Sequence, residues 1–409
     1  MQAQARNDGM GGKDQTGGSC AVEWLSSGGV GLARMLEAVE MAEREVRLEM
    51  YIFEAGGPGE EFRMALVSAA QRGVRVRVLL DAIGSGSLED DYWRGLVNAG
   101  GEVRWFHPLG GGLAVVRSHR KLLACDGRVA FVTGFNIAPE YEGDGVEAGW
   151  RDAGVRMEGW PALEIEALLD EQFDRAGRSL SSVVRLRRRE PSGRTGCGGG
   201  VELLPVSPGR GESTLTMALR ADLRRLMAEQ GHVVLVTPYF VPPAWFRREL
   251  RRATRAGASV TVVLPMRSDV EIAQRAARHV YAGLQRAGVR IMEYRPQMLH
   301  GKVWCLGDVV YVGTSNLDPR SLHLNYELMV RLSGGEMVRR AWADVEDIVA
   351  RSAEVPRLGW GARSWLARAR DQLAFWVLYR IDPWLTGWMA GRWLRHRVRP
   401  GTTAPFDVP

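Results

Sequence analysis

Two short stretches carry an imidazole and a primary amine two residues apart, His119-Arg120-Lys121 and His300-Gly301-Lys302. In extended backbone that spacing turns both side chains to one face. A histidine can attack or protonate an anionic centre while the neighbouring ammonium neutralises charge. One such pair is incidental more often than not, but two in matching surroundings are a pattern.

Two imidazoles facing each other across a phosphodiester can divide the work. One attacks phosphorus, giving a phosphohistidine, while the other protonates the leaving alkoxide and later deprotonates the incoming hydroxyl. Lys121 and Lys302 would hold the non-bridging oxygens, and Asn136 and Asn316 would add neutral donors to them. The same asparagines also suit caps of strands or turns. A nucleophilic imidazole needs its other nitrogen held by an acceptor. Each half of the chain offers a carboxylate downstream: Asp152, 33 residues after His119, and Glu327, 27 residues after His300. Either could equally be a solvated surface charge. No metal or other cofactor is needed for this chemistry, and none of the four cysteines has metal-ligand spacing. Cys125 and Cys305 fall in apolar runs and read as core residues.

The elements that must position these groups repeat. Apolar residues recur at helical spacing over residues 30–47, followed by a strand over 46–53. A helix over about 60–72, a strand over 74–81, a helix over about 88–98 and a strand within 98–108 come next. The first His/Lys strand then runs into an Asp126-Gly127 turn and a returning strand over 129–136, a hairpin signal. The same order recurs from residue 233. The helix over 244–255, the strand over 260–265, the stretch 286–296, His300-Gly301-Lys302 and Gly313-Thr314-Ser315-Asn316 match their counterparts in turn. The second turn is one residue shorter, since His119 to Asn136 is 17 residues and His300 to Asn316 is 16.

Two βα-alternating halves imply two α/β domains related by a pseudo-twofold. The expected organisation is a disordered arm over residues 1–20, a first domain over 21–184 and a Gly/Arg-rich linker over 185–200. A second domain over 201–350 and a helical tail over 351–409 complete it. A Gly-rich insert over 109–113, beside the first His/Lys pair, suits either a lid or a plain surface loop.

The formal charge of +6 comes almost entirely from arginine and favours anionic surfaces. The first 20 residues lack the apolar core of a signal peptide, and no run reaches the ~18 apolar residues of a spanning helix. Between residues 357 and 399 lie six of the fourteen tryptophans and nine arginines, against only Asp371 and Asp382. Rings at headgroup depth and cations on anionic lipid are what an interfacial helix presents. A helix packed across the domain seam is the alternative.

These stretches resemble the phospholipase D superfamily, in which H-x-K-x(4)-D and a Gly/Ser-x-Asn segment occur twice. Within it the chain is most similar to bacterial cardiolipin synthases, through residues 51–53, 72–85, 119–136, 150–152, 237–242, 299–302 and 315–327. The resemblance implies two phospholipase D-type α/β(α) sandwich domains and metal-independent phosphatidyl transfer to a lipid headgroup hydroxyl. It makes His119 the nucleophile and His300 the acid/base, with Asp152 and Glu327 orienting them. Phosphatidylglycerol is the implied donor, and anionic membrane rather than nucleic acid the implied partner, met peripherally on the cytoplasmic side. The motif counts Asp126 in the catalytic set, although Asp-Gly also reads as a turn. Its counterpart in the second half is missing: Gly307 stands there, with Asp308 beside it as a possible substitute. Thr133, where the family has Gly, would narrow the phosphate pocket. A hydrolytic phospholipase D or nuclease is the alternative enzyme, and an inactive membrane scaffold the alternative outside enzymes.

Overall fold

In a computed structural model of the chain, the repeat becomes two sheets with one strand order. The structure describes residues 20–89, 91–106, 116–176, 195–198, 200–209, 212–357 and 364–381. The expected arm over 1–20, apart from Cys20, which opens the first strand, the Gly-rich insert and most of the linker and tail lie outside those residues.

In the first half, β1 (Cys20–Leu25), α1 (Gly28–Glu40), β2 (Glu45–Met50), α2 (Pro58–Gln71) and β3 (Arg75–Asp81) open the chain. They are followed by α3 (Arg94–Asn98), β4 (Glu102–Phe106), β5 (Leu122–Cys125), β6 (Val129–Thr133), β7 (Gly154–Gly159) and α4 (Trp160–Ala176). The local signals are plain. Ser27 caps α1 by accepting from the Val30 N–H, and Pro58 opens α2 with Glu60 and Glu61 in its positive first turn. β2, β3 and β4 pair in parallel, β5 runs antiparallel to β2, and β6, β7 and β1 continue antiparallel.

In the second half, β8 (Thr195–Gly198), β9 (Val201–Val206), α5 (Thr214–Glu229), β10 (His232–Val236), α6 (Ala244–Arg255), β11 (Ser259–Pro265) and α7 (Glu271–Gln285) come first. Then come β12 (Arg290–Tyr294), β13 (Val303–Leu306), β14 (Val309–Gly313), α8 (Pro319–His323), β15 (Glu327–Ser333), α9 (Gly335–Ala350) and β16 (Ser352–Glu354). The order β9-β15-β14-β13-β10-β11-β12 reproduces β1-β7-β6-β5-β2-β3-β4 strand for strand. β8 and β16 extend the second sheet at its two edges. Both correct the expected boundaries: the end of the presumed linker is an edge strand, and residues 352–354 belong to the second domain, not the tail.

Each sheet packs its outer face on its own helices, α1–α3 in one half and α5–α7 in the other. Their inner faces share a third core, in which Leu122, Val132 and Val155 of one sheet meet Val236, Val303 and Leu328 of the other, closed by α4 and α9. An apolar seam of this kind fixes the halves relative to each other. Cys125 and Cys305 are buried strand residues whose thiols burial pushes up.

The C-terminal helix, Trp365–Trp376, lies on α7 and buries Asp371, Ala374 and Phe375 there. No helix among the described residues is long and apolar enough to cross a membrane.

Candidate active site

His119 and Lys121 do not lie in a strand as the alternation predicts. They form the extended lead-in to β5, as His300 and Lys302 do to β13. What straightens these lead-ins is the other half. The His119 N–H donates to the Tyr326 carbonyl (3.0 Å) and the Tyr326 N–H to the Arg117 carbonyl (2.9 Å). Reciprocally, the His300 N–H donates to the Arg151 carbonyl and the Arg151 N–H to the Met298 carbonyl, both at 2.7 Å. Each histidine is thereby stitched to the residue preceding the other half's carboxylate.

The carboxylates are accordingly exchanged. His119 Nδ1 lies 3.1 Å from the Glu327 carboxylate and 3.1 Å from the Thr314 carbonyl oxygen. His300 Nδ1 lies 2.6 Å from Asp152 Oδ2. Spacing within each half suggests that a half would orient its own histidine, but the reciprocal bridges reverse that pairing. The Thr314 hydroxyl donates to Glu327, whereas its counterpart is Gly134, where a Cβ would stand 2.0 Å from Asp152 Oδ1. One carboxylate is braced by a hydroxyl, and the other needs the space a side chain would fill.

The ammonium groups are wholly buried. Lys121 Nζ donates to the His119 carbonyl (2.9 Å) and sits 4.9 Å from the Tyr51 ring centre, a cation–π contact. Lys302 Nζ lies 3.0 Å from His300 Nε2 and 3.8 Å from Asp152. Burial, then the proximity of Lys302, lowers Lys121 to about 7, and burial lowers Lys302 to about 8. Burial and the Lys302 charge lower His300 to about 4, and burial lowers His119 as well. Burial pushes the Asp152 carboxyl up, but Lys302 and His300 together hold it below its usual range. The result is two neutral imidazoles beside two ionisable ammoniums and two carboxylates.

Aromatic rings wall both histidines, and the sequence reading passed over them. Tyr51 packs edge-on against His119 with centroids 4.7 Å apart. Tyr141, Trp150 and Tyr239 surround His300. Tyr51, Trp150 and Tyr239 stand in stretches singled out for resemblance, yet a lone aromatic carries no spacing signal of its own.

Other expected residues take different roles. Asn136 accepts from the Ile52 N–H (3.1 Å) and donates to Tyr141 Oη (2.8 Å), so both ends of its amide brace the wall. Asn316 is buried, and its Oδ1 has no protein partner among the described residues. Asp126 is not in the site. It sits at the far end of β5 in left-handed backbone (φ 58°), and its carboxylate accepts the N–H groups of Glu43, Arg44 and Glu45. In the shorter second turn Gly307 takes that conformation (φ 61°), and Asp308 makes a surface ion pair with Arg225. Asp308 therefore replaces nothing in the site. Thr133 does not narrow the pocket either: it is buried in the wall, its hydroxyl on the Phe135 carbonyl (2.9 Å).

Residues 35–175 and 223–349 match the family described as cardiolipin synthase, PLD-like domain. The chain is 31% identical over 375 residues to cardiolipin synthase B of Shigella flexneri, covering 90% of each protein. It is 28% identical over 342 residues to cardiolipin synthase 1 of Bacillus anthracis, covering 81% of this chain and 67% of that one. Among solved structures, phosphatidylserine synthase of Haemophilus influenzae superposes with a TM-score of 0.68 at 13% identity, covering 89% of this chain and 94% of that one. Fold and paired motifs define a phospholipase D-like enzyme of the phosphatidyltransferase class. Within that class, the chain belongs to the cardiolipin synthase family.

Proposed function

We propose that this chain moves a phosphatidyl group from phosphatidylglycerol to a lipid headgroup hydroxyl, forming cardiolipin through a phosphohistidine on His119. The observation that carries the mechanism is the exchanged pairing: each imidazole is held through Nδ1 by the carboxylate of the opposite half, which turns Nε2 of His119 toward phosphorus. The names of the relatives support the substrate.

The two rings differ in a way that supports His119 as the attacking group. The Lys302 ammonium lies against both ring nitrogens of His300, 2.6 Å from Nδ1 and 3.0 Å from Nε2, while the hydrogen-bond partners of His119 are on Nδ1. His119 Nε2 attacks phosphorus as the P–O bond to the leaving glycerol breaks, and His300 donates the proton to that oxygen. With its affinity for protons lowered by burial and by Lys302, His300 takes the proton it gives from solvent as the anionic substrate binds, the negative charge raising that affinity. In the second step the acceptor hydroxyl passes its proton to His300. Its oxygen bonds to phosphorus, and the N–P bond breaks. Lys121 and Lys302 stabilise the charge on the non-bridging oxygens throughout.

Membrane contact at the cytoplasmic face follows as part of this reading, through the C-terminal segment. The test of function is lipid analysis of a host lacking its own cardiolipin synthases. The chain is expected to restore cardiolipin, and H119A and H300A are each expected to restore none. Free phosphatidic acid in place of cardiolipin would favour hydrolysis, and cardiolipin made by both variants would contradict the reading.

A further inference from the structure

Beside His300 lies a cavity of about 150 Å³ that the phosphoryl chemistry does not use. Its walls are chiefly apolar, Tyr239, Val241, Val270, Ala273, Pro319 and Leu378, with Asp318 and Arg320 as the charged lining residues. It is built by four parts of the chain: the loop between β10 and α6, the start of α7, the start of α8, and the segment that follows the C-terminal helix. That segment gives the C-terminal region a place in the architecture of the site, which its composition does not suggest.

The cavity has a direction. Tyr239 lines it and also packs edge-on against His300, with centroids 6.3 Å apart. Arg320, which also lines it, acts electrostatically on Tyr51, the ring against His119. Through Tyr239 the cavity adjoins the His/Lys cleft, and its lining carries one cation, Arg320, and one carboxyl, Asp318. At the outer side, Val270 and Ile272 are exposed. So are Trp365, Leu366, Leu373 and Trp376 of the C-terminal helix, Trp365 at 70%. At 3.6 residues per turn these four, with Ala369, occupy an arc of about 100°. Arg368 and Arg370, both exposed, flank that arc on either side. The opposite face of the helix is the one buried on α7. An apolar stripe bordered by arginine fits the surface of an anionic bilayer.

We propose that this cavity receives an acyl chain of the phospholipid whose phosphate is held between His119 and His300, drawn from a bilayer met by the exposed stripe of the C-terminal helix. The inference rests on the phosphatidyl-transfer reading. A chain leaving a bilayer loses its apolar surroundings, and a cavity beside the reacting phosphate restores them over its first few carbons. An apolar cavity of this volume holds a hydrocarbon of about six carbons, the size of benzene. Each methylene taken from water into it strengthens binding about fourfold.

The test uses monomeric, short-chain phosphatidylglycerols of increasing acyl length, so that no bilayer contributes. With the intact chain, KM is expected to fall about fourfold per added methylene and then level off once the cavity is full. Ala273→Phe, which fills the cavity without touching the His/Lys groups, is expected to flatten that dependence while leaving kcat/KM for the shortest lipid unchanged. An undiminished chain-length dependence in A273F would overturn the proposal. A second measurement is independent of turnover and of that variant's folding: photolabelling by phosphatidylglycerol with a diazirine in its acyl chain. Label is expected in peptides 270–281 and 374–379, and label confined to other peptides would overturn the proposal. If the intact chain turns over no phosphatidylglycerol at all, the transfer reading fails, and the labelling still decides whether the cavity takes an acyl chain.

Discussion

Lysine is rare in this chain. There are three, Lys13, Lys121 and Lys302, and arginine supplies the remaining positive charge. That two of the three stand in the site has a physical reason: buried lysine can change protonation near neutral pH, and arginine cannot. With Lys121 near 7 and Lys302 near 8, both lose protons as pH rises through that range, and an anion bound between them raises their affinity for protons. Phosphodiester binding should therefore take up protons above pH about 7, and KM should climb as pH rises further. Calorimetry of a non-hydrolysable phosphodiester in buffers of different ionisation enthalpy would check this; binding without proton uptake at pH 8 would not fit. The two motif aspartates separate cleanly at this scale. Asp126→Ala should cost about 1.5–3 kcal/mol for lost charge-assisted bonds, and Asp308→Ala at an exposed pair should stay within about 0.5 kcal/mol. Urea unfolding would measure both, and neither should change kcat once the protein is folded.

At the scale of elements, helices and strands were legible where the pattern was local. The helix expected over 244–255 is α6, and the strand expected over 74–81 is β3 with one residue frayed. What was not legible depended on partners far along the chain. β1 and β9 are edge-side strands that acquire their place only by pairing with β7 and β15, so no turn signal announces them. The exchanged carboxylates are the sharpest case: Asp152 and Glu327 were identified, but their partners follow from backbone bridges between the halves, which no spacing encodes. For the tail, an interfacial helix and a helix packed across the domain seam were the alternatives; the C-terminal helix instead buries one face on α7 of the second half and leaves Trp365, Leu366, Leu373 and Trp376 exposed on the other. Trp365→Glu with Trp376→Glu should weaken binding to anionic vesicles with little effect on stability, because both rings are exposed. Co-sedimentation with phosphatidylglycerol vesicles checks this; undiminished binding would move the membrane contact elsewhere.

For the molecule as a whole, duplication explains both the symmetry of the site and its departures. The shared inner core holds the sheets together, and the reciprocal bridges bring His119 with Glu327 and His300 with Asp152 into one cleft. The differences then fall in matching positions: Thr314 opposite Gly134, Asn316 with an open oxygen opposite a committed Asn136, and Lys302 on both the carbonyl and the imidazole of His300 opposite Lys121 on the His119 carbonyl. A frame of this kind lets one ring attack while the other handles protons. Glu327 holds the attacking imidazole through Nδ1, and losing the carboxylate that orients a catalytic histidine costs up to about 10⁴-fold, so Glu327→Gln should slow phosphorylation of His119 by up to about that order. The most direct measurement is acid-quench trapping with phosphatidylglycerol labelled at phosphorus. The account predicts label on the peptide containing His119, its loss in H119A, and slowed formation in H300A, which lacks the acid that protonates the leaving glycerol. Label on the His300 peptide, or turnover without any phosphohistidine, would contradict it.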